Sequence, residues 1–328
     1  MKYLVVDDEN EIYNAMYSDL FKQNKYDVEE IPKFLIKNKI INFVKRIIFN
    51  EKINKHIWIP FKFLFENFYT ISKYKFDPEE NYVIILLNGT LKNHYSAKYI
   101  KKIKKKNHNV KWALVFYDSS HNKYAKRSFK MARAFDYILS FDKSDCDKYG
   151  FLYFYSTFSN QNQLFHDEKF FSNIFWVGSD NGRFSKLKNI FKKIYLNYSN
   201  CKFLLCSNTK KNISQYGVLK TNYIPYSEVL KYSFNSNCLI EYVINGQYGI
   251  SLRTCEAIMF NKKLLTNNKN IVNMPFYNSK FIKIYNDEKD IDINFINEKI
   301  DVNYNYKNEF SPIEILKLIE GEYKNVKL

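Results

Sequence analysis

The sequence predicts an α/β fold of two domains, each a parallel β-sheet with helices packed on it. Short apolar runs alternate with longer amphipathic segments, which is the pattern of strands joined by crossover helices. The alternation stops in a polar stretch at residues 159–172 and then resumes. A chain of 328 residues has room for two ordinary domains. We therefore expect an N-terminal domain over 1–165, a C-terminal domain over 166–310 and a closing helix over 311–328.

In the first half, apolar runs that end at turn or polar residues predict the strands. Segment 31–69 differs, because its apolar positions recur every three or four residues among many lysines and aromatic residues, so helices are expected there. The expected strands are 2–6, 83–87, 112–117 and 137–141. The other expected helices are 10–22, the segment from the Asn88-Gly89 turn to Lys106, and 125–134.

The second half repeats the alternation. Because helices separate its strands, the connections are expected to be crossovers between parallel strands. Apolar runs predict strands at 174–177, 203–206, 238–244 and 263–266. Amphipathic spacing predicts helices at 184–198, 228–234, 251–260 and 312–320.

The charge balance limits the classes of partner. The formal net charge is +17, and such a field attracts nucleic acid, anionic lipid or anionic substrates. No run of 18 apolar residues occurs, and the opening segment turns acidic at once and lacks the apolar core of a signal peptide. The five cysteines show no CxxC spacing, so we expect free thiols and no zinc site. The expected location is the cytoplasm, with peripheral binding to the inner face of the plasma membrane as an option.

The segment 246–268 carries the clearest functional pattern. Gly249 lets the backbone approach a ligand closely, and Ser251 is in position to cap the following helix. Arg253 stands in the first turn, where a cation opposes the helix dipole and so needs another role. Glu256 lies one turn later on the same face. Two interpretations stay open here: an anion site for a nucleotide diphosphate, or a capped helix with an internal ion pair.

A second segment of the same kind follows the strand at 174–177. Gly178 and Gly182 allow a tight turn, and Arg183 opens the next helix. The segment lacks the GK[ST] of a Walker motif and the spacing of a dinucleotide fingerprint. Its interpretation as a phosphate-binding loop is therefore supported only by the presence of the first segment in the same half of the chain, since one ligand could contact both.

Polar residues at strand ends supply candidate catalytic groups. Asp118 and His121 follow the strand at 112–117, the position expected of a general base, although an Asp there also caps turns. Asp142 repeats the arrangement, and capping is favoured for it. Asp7 and Asp8 resemble the start of a response-regulator receiver domain, but residues 45–60 contain no Asp, which excludes that family. The lysine-rich helix 98–106 indicates either a solvated face or a contact with anionic lipid.

Together these segments resemble the nucleotide-sugar-binding domain of GT-B glycosyltransferases, and more closely the bacterial capsule and lipopolysaccharide glycosyltransferases of similar length. The resemblance implies two Rossmann-like domains facing a central cleft, with the donor in the C-terminal domain and the acceptor in the N-terminal one. The similar segments are 175–183, 223–230, 249–257 and 261–266, together with 135–142 in the first half.

The resemblance also implies roles for individual residues. Arg183 and Arg253 would hold the diphosphate, Glu256 would bind donor hydroxyls, and the turn at 223–227 would border the base. No metal or other cofactor is expected, because helix dipoles and basic side chains neutralise the leaving diphosphate. The implied donor-binding residues are Gly178, Arg183, Tyr226, Ser227, Gly249, Ser251, Arg253 and Glu256.

The chain departs from the commoner pattern at one position, since Lys263 stands where a second Glu would follow the first by seven residues. The departure places a retaining mechanism in doubt and leaves Asp118 or His121 as the hypothetical base of an inverting one. The expected partners are a nucleotide sugar, a glycan or lipid-linked acceptor and an anionic membrane surface, with no nucleic acid. Two alternatives stay open: a basic nucleic-acid-binding protein, and a non-catalytic scaffold in polysaccharide assembly.

Overall fold

The computed structural model describes residues 1–7, 9–50, 54, 59–87, 94–121, 126–161, 164, 166–180, 182–198, 200–207, 216–244 and 249–327. Asp8, the Asn88-Gly89 turn and the start of the glycine loop at 246–248 lie outside the described residues. The described chain divides into two units. The first comprises Met1–Tyr155 and Pro312–Leu328, and the second is Ser156–Ser311.

The first unit is built on a six-stranded parallel sheet with strand order β2-β1-β3-β4-β5-β6. Strand β1 pairs with β2 on one side and β3 on the other, so the order reverses between β1 and β3. The strands are β1 (Lys2–Val6), β2 (Asp27–Ile31), β3 (Tyr82–Leu87), β4 (Val110–Phe116), β5 (Tyr137–Ser140) and β6 (Leu152–Tyr153).

Helices of the first unit cover this sheet and form its core with it. Trp112 of β4 is fully buried there, with Tyr99 and Ile100 packing from the helix that precedes the strand. Short 3-10 helices cover Ser18–Leu20, Pro60–Phe68 and Ala132–Ala134. The described α-helices are α1 (Glu11–Tyr17), α2 (Lys39–Ile48), α3 (Thr70–Lys73), α4 (Ala97–Lys106), α5 (Lys126–Met131) and α6 (Lys143–Tyr149), and α11 (Ile313–Lys327) joins them from beyond the second unit.

The second unit has its own six-stranded parallel sheet, with the order β12-β11-β10-β7-β8-β9. The chain moves outward from β7 to β9 on one side and from β10 to β12 on the other, so β7 and β10 are adjacent at the point of reversal. The strands are β7 (Ser172–Ser179), β8 (Cys201–Cys206), β9 (Val218–Thr221), β10 (Ser236–Glu241), β11 (Lys263–Thr266) and β12 (Ile282–Ile284).

Helices of the second unit connect these strands. The apolar side of the longest one packs on the sheet through Leu187, Ile190, Phe191 and Ile194, which are buried against Trp176 and Phe203. The helices are α7 (Arg183–Asn197), α8 (Tyr226–Asn235), α9 (Leu252–Met259) and α10 (Ile293–Asn297), with 3-10 helices at Glu168–Phe170, Lys269–Asn273 and Glu288–Asp290. Two parallel sheets with crossover helices confirm the predicted two-domain α/β class. Within the part of the chain that the structure describes, no helix is long and apolar enough to cross a bilayer.

The strands predicted from apolar runs are confirmed, with bounds shifted by a few residues. One is wrong at its end: the strand predicted to reach 244 ends at Glu241. Sequence reasoning missed the strands β2, β6, β9 and β12, which lie at the edges of the two sheets. An edge strand has one neighbour and faces solvent, so it needs no continuous apolar run. The sequence of β2, Asp-Val-Glu-Glu-Ile, shows how little of that signal such a strand carries.

Candidate functional site

The two segments that carry the sequence motifs lie at the reversal point of the second sheet. The loop before α7 leaves the carboxyl end of β7, and the loop before α9 leaves the carboxyl end of β10. These strands are hydrogen-bonded neighbours. In open parallel α/β sheets, ligands bind outside the carboxyl ends of the strands where the strand order reverses. The topology therefore brings both motifs to the edge of the sheet where a ligand site is expected.

The start of α9 is organised as the sequence predicts. Ser251 has extended backbone angles and its hydroxyl accepts a hydrogen bond from the Arg253 backbone N–H at 3.1 Å, which confirms it as the N-cap. Gly249 is buried, and its carbonyl accepts from the Asn268 side-chain amide at 3.4 Å. The first turn of α9 thus begins from a loop fixed on both sides of Ile250.

A buried carboxylate, which sequence reasoning missed, holds this helix start in place. Glu241 ends β10 and is almost fully buried. Its Oε1 accepts hydrogen bonds from the hydroxyls of Ser251 and Thr254, the second at 2.7 Å, and its Oε2 accepts from the hydroxyl of Thr266. The signal that could have identified it is an acid closing an apolar strand. Glu241 joins the ends of β10 and β11 to the first turn of α9.

The ion pair expected within α9 is present and buried. The Arg253 guanidinium contacts Glu256 Oε2 and donates to Ser233 Oγ at 2.5 Å. Glu256 Oε1 accepts from the Tyr226 hydroxyl at 2.8 Å, and Oε2 also accepts from Ser233. The side chain of Arg253 is 10% exposed and that of Glu256 is 0% exposed. Arg253 also lies 5.1 Å from the ring centre of Phe175.

The ionisation of this network follows from its burial. Desolvation raises the pKa of the Glu256 carboxyl, and the Arg253 guanidinium and the Ser233 and Tyr226 hydroxyls oppose that rise. Desolvation, followed by the nearby Glu256 charge, raises the pKa of Tyr226 well above its ordinary value. Both oxygens of Glu256 are occupied in this arrangement. Direct contact between Glu256 and a donor hydroxyl would require the network to open.

The second arginine, Arg183, differs from Arg253 because one of its buried nitrogens has no acceptor among the described residues. Gly182 has a left-handed backbone with φ of 80°, and Arg183 opens α7 with its backbone N–H donating to the Asp180 carbonyl. One guanidinium nitrogen of Arg183 donates to the Ser179 carbonyl at 3.2 Å. Its Nε is buried and meets no acceptor among the described residues. Burial lowers the pKa of Arg183, so an anion placed here would restore the lost solvation.

The other predicted donor residues divide between packing and surface positions. Gly178 lies in β7, where an added Cβ would come within 2.8 Å of the Trp176 ring, so this position requires glycine for packing. Tyr226 is buried in the network with Glu256, whereas its neighbour Ser227 is exposed.

Lys263, which replaces the second Glu of the commoner pattern, lies at the amino end of β11, away from the carboxyl edge where ligands are expected. Its ammonium is buried and donates to the carbonyls of Phe295, Ile296 and Glu298 at 2.7 to 2.8 Å. Burial lowers its pKa. Lys263 therefore closes the C-terminal end of α10, where a cation is favoured by the helix dipole.

The candidate bases lie in the first unit, in the loop that follows β4. Asp118 is half-buried and His121 is exposed. The residue between them, Ser120, donates its backbone N–H at 2.8 Å and its hydroxyl to the buried carboxylate of Asp145. Asp142 caps α6 by accepting from the Ser144 backbone N–H at 3.0 Å, as expected. Asp145 thus fixes the loop that carries Asp118 and His121.

No cluster of three or more His, Cys, Asp or Glu side chains suited to a metal ion occurs in the described portion of the chain. The five cysteines are free thiols, of which Cys146, Cys238 and Cys255 are buried.

No protein-family model matches the sequence, and no curated protein matches it. Among solved structures, the UDP-GlcNAc 2-epimerase from Methanocaldococcus jannaschii is similar at 12% identity and a TM-score of 0.51, over 97% of this chain and 99% of the epimerase. The HepE protein of Anabaena, solved with UDP and glucose, has 9% identity and a TM-score of 0.49, over 100% of this chain and 99% of its own. An α-glucosyltransferase solved with UDP-glucose and DNA containing an abasic site has 11% identity and a TM-score of 0.48, over 84% and 82%. The likeness to the epimerase shows the fold, a two-domain α/β architecture of the GT-B type.

Proposed function

We propose that this protein is a glycosyltransferase that moves a sugar from a nucleotide-sugar donor to a glycan acceptor. One observation carries the proposal. Arg183 stands at the carboxyl end of a central strand with a buried Nε–H that meets no acceptor among the described residues. The adjacent central strand leads to a capped helix start at the same edge of its sheet. A diphosphate supplies the acceptor oxygens and the negative charge that this edge lacks.

In this proposal the donor binds along the edge formed by the loops after β7 and β10. Arg183 and the backbone amides of 249–251 contact the diphosphate, and Tyr226 and Ser227 lie at the end of α8 that borders the base. Arg253 and Glu256 do not contact the donor in this proposal, because their charges are already paired with each other in a buried position. They hold α9 against α8 and so keep the first turn of α9 in the position to bind phosphate.

The reaction breaks the bond between the anomeric carbon of the sugar and the terminal oxygen of the diphosphate. Negative charge develops on that oxygen, and a helix start and a guanidinium placed in advance stabilise it without a metal. The acceptor hydroxyl forms the new bond to the anomeric carbon and loses its proton to a base, for which we propose Asp118 or His121. The Asp145 carboxylate holds the loop of these two residues and so limits their movement.

For the acceptor we propose a lipid-linked glycan of a bacterial capsule or lipopolysaccharide. Support comes from the sequence resemblance, which covers segments in both halves of the chain, and from the net charge of +17, which suits an anionic surface. The nucleic-acid-binding and scaffold alternatives make no use of the unpaired Arg183 Nε at the reversal point.

A thermal-shift panel of UDP-, GDP-, CMP- and dTDP-sugars tests the proposal. At 100 times its Kd, one of these donors stabilises the folded protein by about 2.7 kcal/mol. Arg183→Ala should remove most of that stabilisation, and Lys186→Ala should not, because Lys186 is an exposed lysine of the same helix. The stabilising donor is then incubated with isolated lipid-linked glycan, and transfer of labelled sugar is measured.

Three results would overturn the proposal. If no nucleotide sugar stabilises the protein, the proposed donor site is wrong. Conversion of the nucleotide sugar to its epimer without transfer would indicate a different reaction on the same fold. Normal polymer in cells that carry Arg183→Ala would favour the scaffold.

A further inference from the structure

Helix α2 (Lys39–Ile48) exposes the side that a soluble helix normally buries. None of its residues is buried, and four large apolar side chains on it are between 40% and 74% exposed. These are Ile40, Phe43, Val44 and Ile47, spaced i, i+3, i+4 and i+7, so they form one continuous stripe along the helix. A stripe of this kind normally faces a core. Here it faces outward, and contiguous exposed apolar surface of this kind marks an interaction site.

The opposite side and the end of α2 attach the helix to the first unit. Lys45 lies on the far side from the stripe, with its ammonium 4.9 Å from the ring centre of Phe34. Phe49, directly after the helix, is buried and stacks on His94 at 4.8 Å, and it meets the edges of Phe34 and Phe65. The outward direction of the stripe is therefore set by packing on the other side.

A second exposed apolar segment of the same unit follows in the chain. The 3-10 helix Pro60–Phe68 exposes Phe61, Phe63 and Leu64, each more than half exposed, while Phe65 from the same segment is buried against Phe49. Both helical segments thus share one aromatic anchor and present their remaining large apolar side chains to the outside.

The charges around the stripe identify the chemistry of the partner. Residues 32–50 contain five basic residues and no Asp or Glu. At 100° per residue, Lys39 and Arg46 lie beside the stripe along one of its edges. An apolar stripe bordered by basic side chains is the pattern of helices that lie in the headgroup region of a membrane. Nucleic acid would satisfy the basic residues but leave the Ile and Phe side chains without a partner.

A second copy of this chain fits less well than a membrane. A two-fold interface through the stripe would place Lys39 and Arg46 of each copy near those of the other, with no acid in residues 32–50 to offset them. Helix α4 (Ala97–Lys106) offers the contrast within the same unit. It also carries many lysines, but Tyr99, Ile100 and Ile103 are buried, so its apolar side is already occupied.

We infer that α2 is an interfacial helix that docks the first unit on an anionic lipid bilayer, with the stripe in the headgroup region and Lys39 and Arg46 on lipid phosphates. The inference does not depend on the donor site, because every residue that carries it lies in the first unit. It names the surface through which the protein would reach a lipid-linked acceptor.

Vesicle co-sedimentation of the full chain tests the inference. Vesicles of phosphatidylcholine alone are compared with vesicles that contain one quarter phosphatidylglycerol. The apolar variant is Ile40→Ser/Phe43→Ser/Ile47→Ser, and the charge variant is Lys39→Glu/Arg46→Glu. The matched control is Lys101→Glu/Lys105→Glu on α4, which changes the net charge equally at two exposed lysines.

We expect the wild-type protein to sediment with the anionic vesicles and not with the neutral ones. The charge variant should bind at least about 25-fold more weakly, since each of the two basic residues lost from an anionic surface weakens binding roughly fivefold and the two glutamates that replace them are repelled by the same surface. The apolar variant should lose at least as much, and the control should keep most of its binding. All variants should keep the wild-type Tm, because no altered side chain is buried.

Three outcomes would overturn the inference. One is equal loss with the α4 control, which would indicate attraction by net charge alone. Another is failure of the wild type to bind either vesicle while it binds duplex DNA through Lys39 and Arg46. The third is a dimer in sedimentation analysis that the apolar variant converts to monomer without any change in vesicle binding.

Discussion

The buried pair of Arg253 and Glu256 supports a quantitative prediction. Two shape-conserving substitutions test it: Glu256→Gln removes the negative charge, and Arg253→Met removes the positive one. Each single change leaves the other group buried in the second unit, where the Arg253 side chain is 10% exposed and the Glu256 side chain is 0% exposed. The double variant Arg253→Met/Glu256→Gln leaves no charge there.

The size of the effect follows from burial. Removing one member of a buried ion pair destabilises a protein by about 3–5 kcal/mol, whereas replacing both members with neutral groups of similar shape is often close to neutral. We therefore expect each single substitution to lower the free energy of unfolding by about 3 kcal/mol. The double substitution should lower it less than either single one. The hydroxyls of Tyr226 and Ser233 remain in all three variants. Where Glu256→Gln is present, one hydroxyl can donate to the amide oxygen and the other can accept from the amide nitrogen.

The sign of the pH dependence is also determined for Arg253→Met. Desolvation raises the pKa of Glu256 in the folded protein, and this variant removes the opposing guanidinium. Above an unfolded pKa of about 4.3, the folded state then binds more protons than the unfolded state, so the stability of the variant falls as pH rises through the folded pKa. Its stability loss relative to wild type should be smaller at pH 5 than at pH 8.

Urea denaturation followed by tryptophan fluorescence measures these free energies. In a Trp58→Phe/Trp112→Phe background, Trp176 remains as the reporter, and it packs on Phe191 within the second unit, 5.1 Å between ring centres. The prediction would be wrong if each single substitution lowered the free energy of unfolding by less than about 1 kcal/mol. It would also be wrong if the loss of the double variant equalled the sum of the two singles, because independent sites add and a buried pair does not.

Three further predictions concern other parts of the molecule. Asp118→Asn or His121→Gln, whichever removes the base, should slow sugar transfer by about 10²–10⁴-fold while donor-induced stabilisation stays unchanged; loss of donor stabilisation would contradict the role. Glu241→Gln should lower the free energy of unfolding, measured by urea denaturation, by about 1–3 kcal/mol. Three hydroxyls donate to the carboxylate, and the amide nitrogen that replaces one of its oxygens cannot accept. A change smaller than about 0.5 kcal/mol would contradict this role of Glu241. Burial raises the pKa of Tyr95 and Tyr285 well above the unfolded value of about 10. The free energy of unfolding should therefore be retained below pH 10 and fall above it. In an absorbance titration at 295 nm, these buried tyrosines should ionise only when the protein unfolds.

The sequence predicted most of the central strands because a strand buried on both faces requires a continuous apolar run, as in β3 and β4. It missed edge strands such as β12, Ile-Lys-Ile, because three residues with a charge at the centre carry no distinctive pattern. Within α9, the cap and the ion pair were predictable because both depend on residues only two or three positions apart. These are local interactions.

The burial of the Glu256 pair was not predictable, because the groups that cover it come from another helix. Tyr226 and Ser233 belong to α8, and nothing in their spacing relative to α9 indicates that they meet Glu256. Helix α2 shows the same limit. Its three-and-four spacing predicted a helix, but the spacing does not tell whether the apolar stripe faces inward or outward. Tertiary packing decides both.

The order of the chain imposes a sequence of events on synthesis. Helix α11 belongs to the first unit, where Ile315, Leu316 and Ile319 are fully buried and Glu320 accepts a hydrogen bond from Tyr26 at 3.3 Å. The whole of Ser156–Ser311 is made before it. On the ribosome, the second unit is complete while the first still lacks one of its helices, so the unit that starts first finishes last. A single proteolytic cut between residues 155 and 156 would leave the second unit covalently attached to α11 but not to the rest of the first unit, whereas a cut between 311 and 312 would release α11 alone.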